Sequence, residues 1–162
     1  MDSAKTVKTG SRFVVASVAV AMAVASAGAH AILSINEPWV RAAADGRSAE
    51  VFMKLKSSDN ATLIGVDSFA ARTVAIRAPG GRRALAELAL PANVLVEIKP
   101  DDVRVAMSGL VRRLKPGEHV PVTLIVRSTD GTQQKLYINA EVRRHSPTDD
   151  ELNPHAHQHH GK

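Results

Sequence analysis

Apolar and polar positions alternate along most of the chain, with the period of two that belongs to strands rather than helices. Glu50 to Lys56 sets Val51, Met53 and Leu55 on one face, with Phe52, Lys54 and Lys56 on the other. Val94, Val96 and Ile98 alternate with Leu95, Glu97 and Lys99, and Val103, Val105 and Met107 form a further set. Ile32 to Ile35 and Trp39 to Arg41 read as strands on either side of Glu37-Pro38. Thr62 to Val66 and Thr73 to Arg77 are β-branched runs, and Val120 to Arg127 and Lys135 to Val142 read as the two longest strands. Turn clusters separate these runs: Ser57 to Asn60, Pro79-Gly80-Gly81, Pro91-Ala92-Asn93, Lys115 to Glu118 and Ser128 to Thr132. No segment carries a helical stripe over three turns; Arg83 to Leu90 could make one or two helical turns by propensity, yet the run is short. Short strands with turns at this spacing predict an all-β, antiparallel Greek-key sandwich.

The two ends break the pattern. Lys5, Lys8 and Arg12 precede an apolar run from Phe13 to Val24, and small residues follow from Ala25 to Ala31. This is the layout of a secretory signal peptide; a bilayer span would need about 20 apolar residues. Cleavage sites of A-x-A form end at Ala27, Ala29 and Ala31. At the other end, His145 to Pro154 is polar and proline-broken, with little to bury. The chain therefore divides into a signal peptide (1–31), a sandwich domain (32–144) and a disordered His-rich tail (145–162). The signal peptide predicts a periplasmic protein with no membrane association after cleavage.

Composition narrows the function. The net charge of +5 drops to +3 once Asp2, Lys5, Lys8 and Arg12 are removed, which speaks for solubility rather than nucleic-acid binding. Cysteine is absent, excluding disulfides, thiolate metal sites, a thiol nucleophile and a lipobox. Aromatics make up 3%, too few for a base-stacking platform. No P-loop, GxGxxG or HExxH occurs, and His119, Asp101-Asp102 and Asp149-Asp150 stand without catalytic companions. The expectation is a protein that is not an enzyme.

The dense chemical cluster is His155, His157, His159 and His160, with His145 available as a fifth imidazole. Imidazole binds Cu(II), Ni(II), Zn(II) and Cu(I) near neutral pH, and short His-rich tracts take up metal. Ordering a loose backbone costs roughly 1–2 kcal/mol per residue, so capture should be moderate and reversible. The alternative is a solubilising end with incidental affinity. Cleavage after Ala27 would expose Gly28-Ala29-His30, whose amine, amides and imidazole suit square-planar Cu(II); cleavage after Ala31 removes it.

Pro38-Trp39-Val40-Arg41-Ala42, Glu50-Val51-Phe52-Met53, Glu97-Ile98-Lys99-Pro100 and Gly109 to Leu124 resemble the PCuAC family of periplasmic copper chaperones over about Ile32 to Val142. The resemblance implies a cupredoxin-like β-sandwich, monomeric, delivering Cu(I) towards respiratory oxidase assembly. It also implies a His, Met, His, Met copper site with Met-x21-His-x-Met spacing. Here those positions carry Arg77, Arg82, Arg104 and Ala106, in a shortened loop. Guanidinium has no lone pair to donate, so the arginines cannot be ligands. Met53 and Met107 read as core, and Trp39 with Arg41 as a buried indole beside a guanidinium anchoring the first strand.

Two function classes follow. In the first, the protein captures and delivers copper through the tail imidazoles, with Cu(II) favoured over Cu(I), zinc or nickel as further possibilities, and an oxidase assembly protein as acceptor. In the second, a non-metal interaction module binds a protein or anion through Arg77, Arg82 and Arg104. For those arginines, simple solvation is the favoured expectation and convergence on an anion the sharper one.

Overall fold

The computed structural model describes residues 31–145. Residues 1–30 of the predicted signal peptide, Gly28-Ala29-His30 among them, and the four clustered tail histidines lie outside the described residues. Ten strands follow in order: β1 (Leu33–Ala42), β2 (Ser48–Ser57), β3 (Ala61–Asp67), β4 (Ala71–Arg77), β5 (Ala84–Leu85), β6 (Leu88–Leu90), β7 (Leu95–Ile98), β8 (Arg104–Leu110), β9 (His119–Ser128) and β10 (Gln133–Val142). Among the described residues there is no helix.

The sheet runs β5-β4-β8-β2-β1-β10-β9-β3-β6, with β7 also on β2. Neighbours such as β4–β8, β2–β8 and β3–β9 are distant in sequence, so the chain crosses over repeatedly, as in a Greek key. All pairings between these strands are antiparallel except β1–β10, which is parallel at Trp39↔Glu141 and Val40↔Val142. The sheet folds over a core that includes Val40, Val51, Leu55, Leu63, Val105, Met107, Leu124 and Val126. Alternation places them there: in β9, Val120, Val122, Leu124 and Val126 point inward while His119 and Pro121 are exposed. Met53 and Met107 are core residues, as their register predicts.

Within Arg83 to Leu90, a short run whose propensity allowed one or two helical turns in a domain read as all-β, Ala84–Leu85 and Leu88–Leu90 form the edge strands β5 and β6, because ladder bonds to β4 and β3 outweigh a weak helical propensity. Three expectations need correction. Glu37-Pro38 does not split two strands; β1 continues through an irregularity between Asn36 and Trp39, with Glu37 at φ 50°. The strands β1 and β2 are as long as β9 and β10, at 10 residues each. Phe52 belongs to the nominally polar face of β2 yet is only 1% exposed. The indole of Trp39, opposite it on β1, stacks on it at 4.6 Å between ring centroids, tilted by 39°. The Arg41 guanidinium covers it at 5.2 Å from the ring centroid. The expected buried indole is there, but the ring that the Arg41 guanidinium covers is Phe52.

Candidate functional site

Three of the four positions that the PCuAC resemblance marks as ligand positions come together. Arg77 ends β4 and Arg104 opens β8, and the two are direct cross-strand partners. Both line a pocket of about 480 Å³, with Ala106 and Met107 from β8 and Ala49 and Glu50 from β2. Arg82 does not line it; it is exposed in the loop after the Pro79-Gly80-Gly81 turn. That loop is tight because Gly81 N–H donates to the Ala78 carbonyl (2.9 Å) and Ala78 N–H to the Arg83 carbonyl (2.9 Å). Gly81 sits at φ 73°, and a Cβ there would overlap Nη2 of Arg104. Glycine is thus required twice over, by backbone sign and by the guanidinium packed on it.

Sequence reasoning missed two members of the site. Arg41 on β1 faces Glu50 on β2 in register, and its Nη2 donates to Glu50 Oε2 at 2.7 Å. Arg104 Nε lies 2.9 Å from the other oxygen, Oε1. One carboxylate therefore braces two guanidiniums. The Arg104 side chain is 22% exposed and Glu50 26%, so the expectation of freely solvated arginines fails for Arg104. It holds for Arg82. The half-buried Arg77 pairs through its backbone in the sheet, but its side chain has no hydrogen bond or ion pair among the described residues. The signal for Arg41 and Glu50 was present as opposite charges, but only the strand register makes them partners.

A second recess of about 480 Å³ shares Arg41 and continues past Arg113, Arg143 and Arg144. His145, exposed, lies just beyond, lining a shallower depression with Arg144, Pro116 and Glu141. His119 is exposed at the start of β9. Among the described residues, no group of three or more His, Cys, Asp or Glu could hold a metal ion.

The LpqE-like family model matches residues 33–138, which is most of the sandwich. The chain belongs to the LpqE-like family. Solved structures of PCuAC domains have the same fold. The apo PCuAC domain from PmoF1 superposes at a TM-score of 0.60 with 21% identity, covering 68% of this chain and 92% of that one. The copper-bound PCuAC domain from PmoF2 gives 0.58 and 23%, with the same coverage. Cu(I)-bound DR1885 from Deinococcus radiodurans gives 0.56 and 27%, covering 73% of this chain and 83% of that one. No curated protein matches the sequence. The cupredoxin-like sandwich expected for this LpqE-like protein is therefore the fold it has.

Proposed function

We propose that this LpqE-like protein is an exported copper-binding protein that captures copper in the periplasm and passes it to an acceptor. The copper-bound relatives support the choice of metal, and a family named for a lipoprotein supports an envelope location. The observation that carries the site assignment is the replacement of the usual ligands. The sandwich presents Arg77, Arg104 and Ala106 where the resemblance calls for His and Met side chains. Guanidinium and methyl groups offer a cation no lone pair.

The donors are then His155, His157, His159 and His160, with His145 at the root of the tail. Nitrogen donors without thioethers favour Cu(II) over Cu(I), and zinc or nickel compete for the same imidazoles. The chain acts as a monomeric carrier without catalysis, and its acceptor is a copper-receiving protein of respiratory oxidase assembly. Aerobic Cu(II) and anaerobic Cu(I) titrations of the full chain test this, against a variant with His155→Ala, His157→Ala, His159→Ala and His160→Ala. Tighter Cu(II) than Cu(I) binding, lost in the variant, is the expected result. Undiminished copper binding by the variant would move the site elsewhere and overturn the assignment.

A further inference from the structure

The pocket between β4, β8 and β2 has a charge balance suited to the opposite cargo. Arg41, Arg77 and Arg104 contribute three positive charges and Glu50 one negative charge, leaving a net +2 in a concavity of about 480 Å³. That volume lies in the range of small-molecule sites, and Ala49, Ala106 and Met107 give it an apolar floor. Two cationic heads are fixed before any ligand arrives. Arg41 is held between Phe52 and Glu50, and Arg104 between Glu50 and Gly81. The third, Arg77, lines the same space with its donors unused among the described residues.

Glu50 accepts one N–H of Arg41 and pairs with Arg104 at its Nε, while a guanidinium carries five N–H donors. Donors therefore remain on all three heads. Planar N–H forks match oxyanions in bidentate fashion, and pre-ordered forks forfeit less entropy on binding. We propose that this pocket binds a small dianionic oxyanion, a phosphate monoester or a short dicarboxylate, through Arg41, Arg77 and Arg104, with Glu50 as the internal brace that positions two of them. The site is independent of copper capture by the tail.

Calorimetric titration of the metal-free full chain with inorganic phosphate and, separately, with succinate tests the proposal, at constant ionic strength set by chloride. Saturable one-to-one binding in one arm names the source of the oxyanion. Arg77→Gln should weaken that binding about tenfold or more, the scale of a lost hydrogen bond between charged groups. Arg77→Lys, which keeps the charge and loses the fork, should fall between. Arg82→Gln, outside the pocket, should bind as the parent does. The fourfold histidine variant should retain oxyanion binding, which separates this site from the copper reading. Absence of binding in both arms overturns the proposal. So does equal weakening by Arg77→Gln and Arg82→Gln, which would mean diffuse attraction to a basic surface.

Discussion

Replacing Glu50 with glutamine probes the bracing carboxylate directly. In the native arrangement its oxygens meet Arg41 at 2.7 Å and Arg104 at 2.9 Å, with side-chain exposures of 42% for Arg41, 26% for Glu50 and 22% for Arg104. Exposed ion pairs contribute about 0.2–1 kcal/mol each, and partial burial puts the Arg104 pair at the upper end of that range. Glu50→Gln also leaves the repulsion among Arg41, Arg77 and Arg104 uncompensated. The expected cost is about 1–2 kcal/mol, or roughly 4–12 °C in Tm for a domain of this size. Thermal unfolding by circular dichroism at low salt reads this directly. In 1 M salt the Debye length falls to about 3 Å, so the deficit should shrink by about half or more. A double-mutant cycle with Arg104→Gln should give a coupling of about 1 kcal/mol. If Glu50→Gln unfolds with its parent at low salt, or its deficit ignores salt, the bracing role is wrong.

Phe52→Ala should destabilise the fold by about 3–5 kcal/mol in urea unfolding, because it empties a fully buried ring site and strips Trp39 and Arg41 of their shared partner. Ser57 Oγ is buried with no hydrogen-bond partner among the described residues. Ser57→Ala should therefore leave the urea midpoint unchanged or raise it, since no bond is lost and a desolvation cost goes. The Glu118 carboxylate accepts from Arg112 Nη1 (2.7 Å) and from the Lys115 N–H (3.1 Å), and these bonds hold its pKa below the ordinary glutamate value of about 4.3. Its contribution to stability is complete above that value and disappears as the pH falls through the lowered folded pKa. NMR titration of the Glu118 carboxyl carbon should show the low midpoint, and Arg112→Gln should raise it.

Much of the sandwich was legible because burial follows the pleat. The set Val51, Met53, Leu55 and the set Val120, Val122, Leu124, Val126 name their inward face without any knowledge of partners. Phe52 was misplaced because alternation reports only which side of its own strand a residue takes. A neighbour such as Trp39 can close over the outer side as well. Residues 83–90 were ambiguous for a related reason: local propensity carries no information about the open edges of β3 and β4 waiting to be paired.

The sequence by itself determined the strand periodicity, the turns that separate the strands, the arginines at 77, 82 and 104 with Ala106, where the PCuAC resemblance implies imidazole and thioether donors, and the imidazoles concentrated at the carboxyl end. These are properties of residue type and local spacing. Only the tertiary structure decided that Arg77 and Arg104 face one pocket while Arg82 stands outside it, and that Arg41 joins them through Glu50. That grouping depends on strand register and crossover, which link residues tens of positions apart, and no local pattern encodes it.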